Sequence, residues 1–104
     1  MMTETLNFSP ISDAVANRLA ELFRALGDPA RVRIIAALTE GEANVNRLAE
    51  VAGISESSAS HHLRGLRLMR LVRARKNGRQ VYYSLDDDHI ANLFRGSLDH
   101  ILHD

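Results

Sequence analysis

The sequence predicts a small, mainly helical domain with one β-hairpin, in the order four helices, two strands and a closing helix. Three observations predict it. Apolar residues recur at helical spacing in four successive segments between Ile11 and Met69. The period then changes to alternation on both sides of Asn77-Gly78. From Asp86 onward Ile90, Leu93, Phe94, Leu98, Ile101 and Leu102 return to helical spacing.

Each element has its own start and stop signals. Ile11, Val15, Leu19, Leu22, Phe23 and Leu26 form the stripe of a first helix, which Gly27 stops. Asp28 is an N-cap and Pro29 a first helical residue, opening a second helix whose buried stripe is Val32, Ile34, Ile35 and Leu38. Thr39 to Ala43, with Gly41, closes it. A third helix runs through Val45, Leu48, Ala49 and Val51 to Gly53. Ser55 caps a fourth, carrying Leu63, Leu66 and Met69 as core. The strands then flank an Asn77-Gly78 turn, Leu71 to Lys76 on one side and Arg79 to Leu85 on the other.

The third and fourth helices, joined by Ala52-Gly53-Ile54-Ser55, have the pattern of a helix-turn-helix whose second helix enters the major groove of DNA. With the hairpin behind it, the motif is a winged helix. Charge supports this reading although the formal net charge is zero. No acidic residue occurs from Ser57 to Leu85, where Arg64, Arg67, Arg70, Arg73, Arg75, Lys76 and Arg79 accumulate. Such a block suits phosphate when the fold presents it to a groove. The candidate DNA-binding residues are Ser57, Ser58, Ser60, His61 and Arg64 on the fourth helix and Arg75, Lys76 and Arg79 on the wing. His62 has the same setting as His61, and a packed or solvated imidazole is the plain alternative for both.

The last helix carries a different chemistry. Asp87, His89, His100 and His103 form the pattern D-x-H-x10-H-x2-H. Eleven helical residues from His89 to His100 span about 16 Å, too far for one ion. The same eleven steps return to nearly one face, so an antiparallel second copy of the helix sets one pair opposite the other. A twofold dimer then holds two identical sites. Imidazole and carboxylate in a closed set of four suit Zn(II), and Co(II) accepts the same geometry. His100 and His103 share a face, whereas Asp87 and His89 fall on one side only if Asp87 lies at or before the N-cap. Asp86 and Asp88 are alternative ligands. All three aspartates also suit ordinary capping and the helix dipole.

With these residues in view, the chain from about residue 11 onward resembles the ArsR/SmtB family of metal-responsive winged-helix repressors. Four blocks carry the resemblance: Ala25-Leu-Gly-Asp-Pro-Ala-Arg-Val-Arg-Ile-Ile35, Ser55-Glu-Ser-Ser-Ala-Ser-His-His-Leu-Arg-Gly-Leu66, Leu71-Val-Arg-Ala-Arg-Lys-Asn-Gly-Arg79 and Tyr83-Ser-Leu85. The resemblance implies a homodimer joined through its first and last helices, bound to operator DNA without metal and released by it. It also implies that the C-terminal-helix motif is of the zinc or cobalt type. Family members that sense thiophilic metals use cysteines, and this chain has none. Nickel sensors recruit further ligands, and residues 1 to 16 contain no His. Nickel therefore ranks second.

Composition sets the remaining bounds. Residues 1–10 read as a flexible tail and 11–104 as one domain. Trp is absent and aromatics are few, so Leu, Ile, Val and Ala fill the core. Without Cys there are no disulfides, thiolate sites or thiol nucleophile. No leader and no apolar run near twenty residues is visible, so a cytoplasmic protein without membrane contact is expected. A winged-helix regulator answering a non-metal signal is the competing reading. A hydrolytic metalloenzyme needs an open coordination position, a general base and a cleft for an organic substrate, none of which the sequence displays; no catalytic residue is therefore assigned.

Overall fold

The computed structural model describes residues 10–103. The expected tail therefore lies, apart from Pro10, outside the described residues. The elements are α1 (Asp13–Leu26), α2 (Pro29–Leu38), β1 (Ala43–Asn44), α3 (Val45–Ala52), α4 (Glu56–Leu68), β2 (Val72–Asn77), β3 (Gln80–Leu85) and α5 (Asp88–Leu102).

Local chemistry sets most boundaries. Ser12 caps α1 by accepting from Val15 N, so Ile11 stays outside the helix. Asp28 Oδ1 accepts from Ala30 N and Arg31 N, fixing the first turn of α2 behind Pro29. Ser55 Oγ takes the amide of Ser58 at the start of α4. Gly53, at φ 69°, closes α3 with a bond from Ile54 N to Ala49 O. The end of α4 uses the same device with a different residue: Leu71 N reaches Leu66 O, and Arg70 takes the left-handed conformation at φ 60°.

Two details differ from the sequence expectation. The sheet has three strands in the order β1-β3-β2, because Ala43 and Asn44 pair with Tyr83 and Tyr82. Two residues are too short to show an alternating pattern. The hairpin turn also lies one place later than expected. Asn77 pairs with Gln80, so the loop residues are Gly78 and Arg79. Gly78 has φ 65°, and Arg70 is the sole non-glycine of positive φ among the described residues. This is the pattern of a two-residue turn with glycine first.

The core is aliphatic and lies where α2, α3, α4 and the base of the hairpin meet. Ile34, Leu48, Leu63 and Leu66 are fully buried, with Ile35, Leu38 and Val72 nearly so. Met69, Leu85 and Phe94 pack on its edge. Helix α1 buries no residue completely, and the protomer is elongated, 59 × 32 × 20 Å. Among the described residues no helix is long and apolar enough to cross a membrane.

Candidate metal half-sites and DNA-binding surface

Helix α4 turns Ala59, Leu63 and Leu66 into the core. That orientation leaves Ser57, Ser58, His61 and Arg64 exposed and Ser60 half-buried. Lys76 and Arg79 are exposed at the wing tip, Arg79 within the turn itself. Arg75 is also exposed but already engaged. Its guanidinium donates to Glu42 through Nε at 2.9 Å and Nη2 at 2.8 Å, and it lies 5.2 Å above the Tyr82 ring. The hydrogen bond from Arg75 holds the Glu42 carboxyl below its usual range, with partial desolvation opposing.

The acidic end of the molecule is built around the start of α5. Asp87 is its N-cap, as the spacing requires: Oδ1 accepts from His89 N at 2.9 Å and Ile90 N at 3.3 Å. Its second oxygen, Oδ2, lies 3.4 Å from His89 Nδ1. Desolvation raises the Asp87 carboxyl, but the hydrogen bonds from His89 and Ile90 outweigh it, and the net shift is downward. Ligands at about 2.1 Å from a tetrahedral ion sit about 3.4 Å apart, a separation with which this contact is compatible. Asp86 is half-buried and its amide bonds Leu71 O, whereas Asp88 lies in the first turn of α5.

The second pair lies at the far end of the same helix. His100 is exposed in the last turn of α5, and His103 is the C-cap. His103 Nδ1 lies 2.9 Å from Asp99 Oδ1 and 3.0 Å from Asp99 O. Donation from Nδ1 leaves Nε2 free to ligate, an arrangement common for metal-binding imidazoles. Among the described residues of one chain, no three His, Asp or Glu side chains are grouped to hold an ion. The structure thus sets two pairs of potential donors without sulfur, Asp87 with His89 and His100 with His103, at opposite ends of one helix.

Between these two ends of α5 runs an apolar strip. Phe23, Leu26, Val32, Ile35, Leu93, Phe94, Leu98 and Ile101 line a groove shared by α1, α2 and α5. Phe23 is 55% exposed, Leu98 41% and Ile101 69%. Leu98, Ile101 and Leu102, whose density on the last helix suggests burial against a partner, are exposed within the single chain. Sequence reasoning also missed the Glu42 partner of Arg75, which lies 33 residues away. The Asp99–His103 contact, by contrast, was available from its i,i+4 spacing.

A helix-turn-helix with a basic wing, a three-stranded sheet and a flanking pair of helices defines the winged-helix class of DNA-binding domains. Residues 28–74 match the bacterial regulatory protein arsR family. The chain is 50% identical over 86 residues to a transcriptional repressor SmtB homolog of Synechocystis, a match covering 83% of this chain and 65% of that protein. It is 37% identical over 95 residues to the HTH-type transcriptional regulator NmtR of Mycobacterium tuberculosis, covering 91% and 79% respectively. A homodimeric winged helix-turn-helix DNA-binding domain from Mycobacterium bovis superposes with TM-score 0.78 at 29% identity, covering 93% of this chain and 96% of that one. The chain belongs to the arsR family. The matched relatives are regulators of transcription rather than enzymes.

Proposed function

We propose that this chain is a metal-sensing transcriptional repressor. As a homodimer it binds operator double-stranded DNA, and it is released when Zn(II) or Co(II) is held by Asp87 and His89 of one protomer with His100 and His103 of the other. The observation that carries this reading is the 3.4 Å bite between Asp87 Oδ2 and His89 Nδ1, with two further imidazoles at the opposite end of the same helix. The apolar strip on α1 and α5 supports an antiparallel pairing of α5 helices that brings complementary halves together. A bacterial regulator of this kind would meet its operator in the cytoplasm.

An ion held by Asp87 and His89 of one protomer and His100 and His103 of the other would supply a cross-link between subunits. The protein's part is to present four deprotonated donors on two helices and to transmit their closure. Without closure, the dimer samples a state in which its two α4 helices sit about 34 Å apart, one turn of B-DNA. Closing the four side chains clamps the α5 pair in an arrangement that spoils this spacing. Metal and DNA affinities then oppose one another by the same factor in both directions.

The test is a Co(II) titration of metal-free protein followed by absorption, with Zn(II) competition and DNA binding measured in parallel. Intense tetrahedral bands at one ion per protomer, displaced by Zn(II) and matched by loss of DNA binding, are expected. Weak octahedral spectra with no effect on DNA would overturn the sensor assignment and leave a regulator with another signal.

A further inference from the structure

A single guanidinium ties three helices together beside the DNA-binding surface. Arg31, in the first turn of α2, donates from Nε to His62 Nδ1 on α4 at 3.0 Å. Its Nη1 reaches the carbonyl of Ala25 near the end of α1, at 3.4 Å. Its Nη2 passes over Gly65 so closely that a Cβ there would lie 2.8 Å from it. The Arg31 backbone is itself fixed, because its amide is one of the two that Asp28 caps.

The chemistry of the contact is one-sided. Arginine is a donor at every nitrogen and keeps its charge, so His62 Nδ1 has to accept. In this contact Nδ1 accepts, and the ring nitrogen left to donate is Nε2. His62 is half-buried between the core-facing row of α4 and its exposed row of Ser58, His61 and Arg64. DNA presents acceptors, phosphate oxygens and purine N7 and O6 among them, and a ring whose remaining nitrogen donates is complementary to these.

We infer that Arg31 is a positioning residue for DNA binding: it anchors α4 to the α1–α2 corner and sets His62 as an Nε2–H donor. The inference rests on the DNA-binding function proposed above and assigns a role to residues outside the expected contact set. It also gives Gly65 a reason. A Cβ there requires the Arg31 guanidinium, the end of a flexible side chain, to shift from its present place, and it alters no charge.

The experiment combines NMR of isotope-labelled imidazoles in the free protein with titration of a duplex selected by the wild-type chain from random sequence. His62 is expected as the Nε2–H tautomer in the wild type and as a mixture in R31Q. R31Q and G65A are expected to bind the duplex about tenfold more weakly or worse, at unchanged helicity. His62→Gln, which keeps an acceptor for Arg31 and a donor in place of Nε2, stays within about threefold of the wild type, whereas His62→Leu does not. An Nδ1–H tautomer in the wild type overturns the inference. So does duplex binding by folded R31Q and G65A within about twofold of the wild type, with DNA binding itself intact. Failure of the wild type to bind any duplex sinks the proposed function first and this role with it.

Discussion

Arg75 and Glu42 form a two-pronged ion pair, at 2.9 and 2.8 Å, that joins the wing to the loop before β1. The pair is exposed and contributes little to stability. Its interest lies in what it withholds, since it occupies a wing cation beside the surface assigned to phosphate.

Replacing Glu42 by Gln is expected to tighten DNA binding. The change removes a negative charge near the phosphates and frees the Arg75 guanidinium. If Arg75 then contacts one more phosphate, the slope of log affinity against log salt steepens by about one. Affinity measured at several salt concentrations checks this, and an unchanged slope with unchanged affinity would remove Arg75 from the DNA-binding set.

Inter-subunit ligation makes a sharp prediction by complementation. A chain with Asp87→Ala and His89→Gln, and a second with His100→Gln and His103→Gln, should each bind no Co(II) tightly as homodimers. Their heterodimer keeps one complete set of four donors and should bind one ion. Loss of a ligating side chain should weaken affinity by at least about 100-fold, since outer partners of ligands alone cost up to that much. A heterodimer that binds nothing would place the ligands within single chains or elsewhere.

Ile101→Asp puts a charge on a residue that is 69% exposed in the protomer. The aliphatic core around Ile34, Leu48 and Leu63 should survive, because the substitution does not touch it. Sedimentation should nevertheless shift from dimer to monomer, and metal binding should fall with it. A variant that remains dimeric would move the interface away from this strip.

The capping carboxylate of α5 gives a pH signature in metal-free protein. Asp87 is depressed in the folded state by its hydrogen bonds, net of opposing desolvation. A carboxyl with a lowered folded pKa contributes stability above its unfolded pKa and loses that contribution as pH falls through the folded one. Thermal midpoints should therefore drop on acidification below the usual Asp range, and drop less in Asp87→Asn. Asparagine caps a helix as well as aspartate but does not titrate. Parallel pH profiles for the two proteins would contradict the assignment.

Short-range grammar made much of the architecture readable before any coordinates. Asp28-Pro29 marks a helix start in sequence and serves as one in space, with two amides on Asp28 Oδ1. The two-residue offset of Asp87 and His89 demanded a cap at Asp87, and the cap is there. What remained hidden depended on distance along the chain. No local pattern links Arg31 to His62 or Glu42 to Arg75, because tertiary packing alone brings them together. The turn at Gly78-Arg79 was misplaced because Asn77-Gly78 is itself a strong turn pair, and strand register decided between the two. For the proposed metal residues, the sequence offers the two pairs, and the structure adds one separation, 3.4 Å between Asp87 Oδ2 and His89 Nδ1.

Helix α1 presents Val15, Leu19 and Phe23 outward and buries none of its fourteen residues completely. A helix of that length has little stability of its own in water. In a dimer closed through α1 and α5, its ordering is tied to the encounter of two chains, so dilution acts on this segment much as heat does. The number of copies in a cell then becomes an input to the regulator, alongside whatever ion it meets. Two cells with equal metal but unequal expression of this chain would set their switching points differently.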